Sequence, residues 1–477
     1  MAYKIDATLL DDIDNPPASL LNNLIDLKQQ DIGRLNKMRD YYLGKHAIFD
    51  RMLSNPGSKD NKVMVNHAKY ITDMVTGMMT GNPITYVTQD GKSIDAITEA
   101  FDRMNITAHD TELERDLSCY GVAYEMNYLT AIDDETTEER IALLDPRNTF
   151  VVTDDSEDEN VLFGVYMLPK RKLDGTENGY LVSVYTKHSL IQYRTVSGSR
   201  LSETNMQTGF PKVSFQYWGE EPITEYKNNE QMQGDFEQLI SQIDSYNNLQ
   251  SDRIADKDAF VDAILLVYGT TIEGKLEKGQ MLDGLAPKDE GTSVEWLTKT
   301  LDENATQTLA DSITNDIHEM SNVPNMNDKD FAGNISGEAM KYKLFGLLNL
   351  ISVKEQSLKE GLKRRLKLMQ NMLKIKEQDV DVSSVKVRIT PNIPVNMTDT
   401  ITNIKNADGV IPRLVSYSWL PDGYDPQKLI DLMKQQNDEQ IANQKKAMGS
   451  DESDGNVDDD RRGFRDDSGD NNQEPTS

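Results

Sequence analysis

Between Leu344 and Leu373 the apolar residues Leu344, Leu348, Ile351, Leu358, Leu362, Leu366, Met369 and Leu373 recur at threes and fours. That is the spacing of one face of an α-helix. Ser336 stands at the start as an N-cap, with Gly337, Glu338 and Ala339 behind it. No proline interrupts the following stretch of roughly forty residues, so one helix on the order of 60 Å long is predicted. Ahead of it a shorter helix is read from Leu301, Leu309, Ile313, Ile317 and Met320. It stops at Asn322-Val323-Pro324, because proline lacks an amide hydrogen and restricts the residue before it. The two helices are joined by a polar loop, Asn325 to Asn334, with a single aromatic, Phe331.

Residues 1–15 are expected to form a loose arm. Leu20, Leu21, Leu24, Leu27, Ile32 and Leu35 then mark an amphipathic helix running to Tyr42, and Val63 to Met79 a second. Ile84–Val87 reads as a strand, followed by helices near Ser93–Met104 and His109–Tyr120. From Gly121 to about Trp218 the period changes to two, with strands at Val122–Tyr128, Asn160–Met167, Tyr180–Tyr185 and Ile191–Val196. The acidic run Asp154 to Glu159 lies between two of these and reads as a solvated hairpin loop, since it lacks the glycine and terminal glutamate of a calcium loop. A helix is predicted over 228–259, strands at Phe260–Tyr268 and Ser293–Leu297, and the helix 301–322. A small β insert at the tip of a helical hairpin is the simplest topology. After the long helix come a strand at Val385–Thr390 and helices at Thr398–Ala407, Pro412–Ser416 and Pro426–Met448. Residues 449–477 are almost free of apolar side chains and are predicted to be disordered. The fold class is therefore α+β, mainly helical.

At 477 residues the chain has room for two to four domains. No apolar run approaches the roughly 20 residues that cross a bilayer. The first residues lack the basic and apolar regions of a signal peptide, so a soluble protein made in a cytoplasm, with no membrane partner, is expected. Cys119 has no second cysteine and reads as a small buried residue. The net charge of −29 argues against gripping nucleic acid over a broad surface. It is compatible with a passage for DNA, whose phosphates a negative lining would repel.

Catalytic chemistry is not apparent. Gly274 to Met281 has P-loop glycine spacing, but Gln280 and Met281 occupy the lysine and hydroxyl positions. The histidines are scattered, and His318 reads as part of a solvated helix face. No catalytic residue, cofactor or metal ligand is assigned. Two stretches remain as binding candidates. The basic run Lys359, Lys363, Arg364, Arg365 and Lys367 is either a solvated helix face with partners such as Glu360 or a patch for backbone phosphates. The loop residues Asn325, Asn327, Lys329, Phe331 and Asn334 suit light contact with a polyanion, though a plain connector reads equally well.

The order of these elements resembles the portal proteins of tailed phages, most closely those of long-tailed phages of Gram-positive hosts. The likeness covers nearly the whole chain. Its most suggestive stretches are Tyr41-Tyr42-Leu43-Gly44, Asn66-His67-Ala68-Lys69-Tyr70-Ile71, Gly81-Asn82-Pro83-Ile84 and Phe331-Ala332-Gly333-Asn334-Ile335-Ser336-Gly337. The resemblance implies an elongated subunit of a ring, a dodecamer at one capsid vertex of the virion, assembled in the host cytoplasm. The ring would enclose a channel for double-stranded DNA. It also implies a wing (1–227, with 337–396), a stem (228–259 and 301–322), a clip (260–300), a tunnel loop (323–336), a crown (397–448) and an acidic tail (449–477). Implied partners are the terminase large subunit, a head–tail adaptor, and the major capsid and scaffolding proteins. Lysine is scarce in the presumed tunnel loop, with only Lys329 between Asp328 and Asp330, which favours a steric or sensing role for Phe331 and the asparagines. The rival readings are a cytosolic metal-dependent nuclease and a structural head protein that forms no ring.

Overall fold

The computed structural model describes residues 3–52, 60–88, 92–133, 136–216, 219–260, 264–268, 293–297, 303–326, 337–393, 397–420 and 426–448. The chain divides into two units, Met1–Pro394 and Val395–Ser477. It is a mixed α+β protein.

In the first unit the helices are α1 (Ala18–Tyr42), α2 (His67–Thr80), α3 (Asp95–Met104), α4 (Ile106–Tyr120), α5 (Ile240–Phe260), α6 (Glu303–Ser321), α7 (Gly337–Lys343) and α8 (Phe345–Ile375). The strands are β1 (Tyr3–Ile5), β2 (Thr85–Thr88), β3 (Val122–Ala131), β4 (Thr137–Leu144), β5 (Thr149–Asp154), β6 (Val161–Arg171), β7 (Glu177–Thr186), β8 (Ser189–Arg194), β9 (Lys212–Phe215), β10 (Ile223–Lys227), β11 (Ile264–Tyr268), β12 (Ser293–Leu297) and β13 (Val385–Arg388). Six of them form a sheet in the order β1-β5-β6-β7-β8-β9, and β10-β3-β4 form a second. The pairs β11-β12 and β13-β2 are separate ladders.

The first half of α1 buries Leu21, Leu24 and Ile25 against Phe150, Phe163, Val165 and Val182 of the large sheet. Its second half contributes Leu35, Met38 and Tyr41 to the main core, which also holds the inner faces of α2, α4 and α8. The turn from α4 into β3 rests on Gly121, whose φ of 82° suits glycine and whose missing side chain leaves room for the Met232 carbonyl.

Several sequence expectations need correction. Residues 3–15 are no loose arm: β1 pairs in parallel with β5, Tyr3 opposite Val152, and Asp14 accepts from the Thr186 hydroxyl at 2.6 Å. A three-residue strand whose partner is far along the chain leaves no periodic trace. The helix read over 228–259 begins only at Ile240, after a 3₁₀ turn at Glu237–Leu239. Before it, Asn228 Nδ2 donates to the Gln233 carbonyl and Asn229 Oδ1 accepts from the Gln233 amide. Such local side-chain bonds compete with helix formation. The single long helix is in fact α7 and α8, separated at Leu344. The amide ladder continues across that residue, from Leu344 N to Met340 O and from Leu348 N to Leu344 O. With 31 residues α8 spans about 46 Å.

Other readings hold. The acidic run joins β5 to β6, and its exposed turn is fixed by Asp154, which accepts from the Ser156 and Asn160 amides. Strands β11 and β12 pair antiparallel, Ile264 opposite Leu297, between α5 and α6. Arg253 near the end of α5 pairs with Glu303 at the start of α6, as a helical hairpin requires. Cys119 is buried, and burial pushes its thiol well above the ordinary range. The P-loop-like segment 274–281 and the acidic tail lie outside the described residues.

Gly361 in α8 faces the Tyr226 ring so closely that a Cβ would overlap it, whereas a Cβ at Gly77 in α2 meets nothing within 4 Å. Alanine normally stabilises a helix interior by about 1 kcal/mol over glycine. Gly77→Ala is therefore expected to gain about 0.5–1 kcal/mol. Gly361→Ala should instead lose about 1–3 kcal/mol through overpacking. Paired denaturant melts check both signs.

Candidate functional site

Two features stand out, both tied to stretches the sequence singles out: the inward face of α8 and the root of the loop after α6.

The basic run does not form a free cationic face. Lys359 pairs with Glu355 at 2.5 Å and Lys367 with Glu220 at 2.7 Å, while Lys363 is exposed. Arg364 donates to Glu221, both to its side chain and to its carbonyl, at 3.1 Å. Arg365 is fully buried and has no surface to offer a phosphate. Its guanidinium lies 2.5 Å from Glu125 and 2.7 Å from Asp110. His109 Nε2 stands 2.9 Å from Glu125, and the Tyr226 hydroxyl donates to it at 3.2 Å. Burial alone would push the Glu125 carboxyl up; Arg365 and His109 outweigh it and hold it at about 2. At Asp110 burial prevails over Arg365, and the carboxyl is raised.

The same arrangement repeats along the helix. Lys354, eleven residues earlier and so about three turns away, is buried with its ammonium 2.6 Å from Glu114 and 2.7 Å from Asp235. Burial raises Glu114 to about 7 in spite of that ammonium. Eleven residues beyond Arg365, Lys376 lies 2.6 Å from Glu139, which is 1% exposed, and donates to the Thr137 carbonyl. Lys354 and Arg365 on one face, with Lys376 just past the helix end, thus seat α8 on carboxylates from α4, β3, β4 and the turn before α5.

The loop root is built from α2 and α6. After Ser321, Asn322 adopts a left-handed φ of 57°, which asparagine tolerates better than most residues. Val323 is fully buried, and its carbonyl accepts from His318 Nδ1 at 2.9 Å. The Tyr70 hydroxyl donates to the Pro324 carbonyl at 2.9 Å and accepts from the Met326 amide at 3.1 Å. His67 and Tyr70 meet the His318 ring edge to face, at 5.8 and 5.6 Å. His318 is therefore a half-buried anchor and not part of a solvated face. Burial lowers it, despite the bond to Val323. Burial, then the nearby His318 and His46, lowers His67 to about 4, so it is neutral at pH 7. Of the predicted loop residues Asn325 is described, half-buried just past this root. Asn327, Lys329, Phe331 and Asn334 lie outside the described residues. Tyr70 and His318 were not among the predicted site residues. Tyr70 lies in the stretch Asn66–Ile71 that carries part of the resemblance, whereas nothing in the sequence around His318 points to this role.

Tyr70→Phe removes a donor and an acceptor from the root. It is expected to cost about 1–2 kcal/mol, and hydrogen exchange at the Met326 amide should accelerate.

Among the described residues no group of His, Cys, Asp and Glu is placed to hold a metal ion, and no helix is long and apolar enough to cross a membrane.

The described elements thus run as an antiparallel strand pair between α5 and α6, then the root after α6, then α7 and α8. The chain belongs to the phage portal protein family, SPP1 Gp6-like, whose family model matches residues 21–443. It is 21% identical to the portal protein of Bacillus phage SPP1 over 405 residues, which cover 80% of this chain and 73% of that protein. Among solved structures it is similar to a chain in the neck of an empty gene transfer agent particle computed with C6 symmetry, with a TM-score of 0.40, 12% identity and coverage of 74% of this chain and 90% of that one. It is also similar to a chain in the virion of a native gene transfer agent particle, with a TM-score of 0.38, 10% identity and coverage of 82% and 94%.

Proposed function

We propose that the chain is the subunit of a dodecameric portal ring at one capsid vertex, through which double-stranded DNA is packaged and later ejected. The observation that carries this reading is the family match running from residue 21 to residue 443. In this reading 1–227 and 337–396 form the wing. The stem consists of α5 and α6, shorter than the sequence suggests. The clip is 260–300, offered to the terminase large subunit during packaging and to a head–tail adaptor afterwards. The crown is 397–448, followed by the acidic tail 449–477. Capsid and scaffolding proteins would surround the ring. The loop 323–336 would face the channel, with Asn325, Asn327, Lys329, Phe331 and Asn334 toward DNA and its root fixed by Tyr70 and His318. A subunit that guides DNA without cutting it needs no catalytic group or cofactor.

Because α8 commits Arg365, Arg364 and Lys354 to internal carboxylates, these three cations form no gripping surface along that helix, which suits a conduit. Lys329→Ala is expected to leave packaging nearly unchanged, since a lone lysine between two aspartates offers little net charge to a phosphate. Complete arrest of packaging with intact rings would contradict that. Negative-stain electron microscopy with native mass measurement tests the whole reading: closed rings with a central hole are expected. A homogeneous monomer that cleaves DNA with a divalent metal would replace it.

A further inference from the structure

The second unit contains α9 (Met397–Ala407), α10 (Arg413–Tyr417) and α11 (Pro426–Met448). Helix α10 packs against both α9 and α11. Yet the unit builds no hydrophobic cluster of its own among the described residues. Ile401, Leu414, Val415, Trp419, Leu432 and Ile441 are all 41–56% exposed. Scattered exposed apolar residues need no explanation, but a short helical unit that leaves this many of its large apolar side chains exposed marks an interaction face.

Charge identifies the occupant. The chain carries −29, so copies of it repel one another over most of their surface. Between 395 and 448 six basic residues stand against seven acidic ones, and this stretch is nearly neutral. The chain's own tail cannot cover it, since residues 449–477 hold only Val457 and Phe464 as large apolar side chains and ten Asp or Glu. DNA is ill suited to a face without excess cations. A second copy of the same unit fits both requirements, because apolar burial is available there and the Coulomb cost of bringing two copies together is lowest.

We propose that the exposed apolar faces of α9, α10 and α11 dock onto the same unit of neighbouring copies and supply a principal cohesive contact of the assembly. This rests on the ring assembly proposed above. The test uses the full chain and two variants: Leu432→Gln with Ile441→Gln, and Ile441→Cys. The only native cysteine, Cys119, is buried, so a short bismaleimide reads position 441 alone. Native mass is followed over a dilution series, with circular dichroism checking helix content. Wild-type rings are expected, with the double variant dissociating at a concentration about tenfold higher or more. With one reactive thiol in each copy, Ile441→Cys should give a covalent dimer. Wild-type rings with an unchanged midpoint in the folded double variant overturn the docking face and leave the ring standing. Should the double variant lose its helices, the crosslink decides: covalent dimer supports the proposal and monomer alone overturns it. A wild-type chain that stays monomeric at every concentration overturns both the docking face and the ring.

Discussion

Arg365→Met is expected to lower the unfolding free energy by about 3–5 kcal/mol at pH 7–8, although it replaces one side chain by another of similar length. The wild-type guanidinium is fully buried, lies 2.7 Å from Asp110 and holds Glu125 through both its Nε and Nη2. Methionine leaves these two carboxylates in the core without their cation, and the cost is that of stranded charge more than of lost attraction. Two controls separate this from simple repacking. The triple variant Arg365→Met, Glu125→Gln, Asp110→Asn should recover much of the loss, because no ionised group then remains there. Lys359→Met, which breaks only the partly exposed pair with Glu355, should cost under about 1 kcal/mol. Arg365→Lys should still be costly, since an ammonium cannot reproduce the planar fork that serves two carboxylates at once. Denaturant unfolding at fixed protein concentration measures all four. A loss below about 1 kcal/mol for Arg365→Met would place this arginine with ordinary surface charges.

The position of Arg365 was legible, but its partners were not. It stands three residues after Leu362 and four before Met369, in the middle of the apolar stripe, and Lys354 stands likewise after Ile351 and before Leu358. A cation inside an apolar stripe points to a buried ion pair, because unpaired burial is too costly. Reading the run by composition as a patch hid that pattern. The partners Glu114, Glu125, Glu139 and Asp235 come from distant elements, and only tertiary structure brings them to α8. The long amphipathic helices were easier: α1 buries Leu21, Leu24 and Leu35 as its period requires, and α11 has the predicted ends. Strand β1 and the turn before α5 were missed because three residues carry no measurable period and amide side chains can rewrite a helix start. The loop root was missed for a related reason. Nothing local to His318 announces that Tyr70 and His67 will close over it.

Stability is expected to peak on the acid side of neutrality, near about pH 5, and to fall in both directions for different reasons. Burial raises Glu114 to about 7 and Glu221 to about 8, the latter despite Arg364 and the Ile223 amide, against an ordinary glutamate value of 4.5. A carboxyl that is harder to ionise in the folded chain gives stability that is fully present below about pH 4.5. That stability is lost as the pH rises through about 7 and 8. Glu125 has the opposite sign. Its carboxyl is held at about 2, so its contribution is present above about pH 4.5 and disappears as the pH falls toward 2. The unfolding free energy should therefore decline from pH 5 to pH 8. Each unit of displaced pKa corresponds to about 1.4 kcal/mol, so the decline should reach several kcal/mol. Glu114→Gln combined with Glu221→Gln should flatten this alkaline limb and leave the acid limb in place. Glu125→Gln should flatten the acid limb while lowering stability at every pH, because Arg365 loses its strongest partner. A wild-type stability that rises steadily from pH 5 to pH 8 would mean that Lys354 and Arg364 keep both carboxylates ionised in the core. The ion pairs along α8 would then outweigh the burial of Glu114 and Glu221, as Arg365 already does for Glu125.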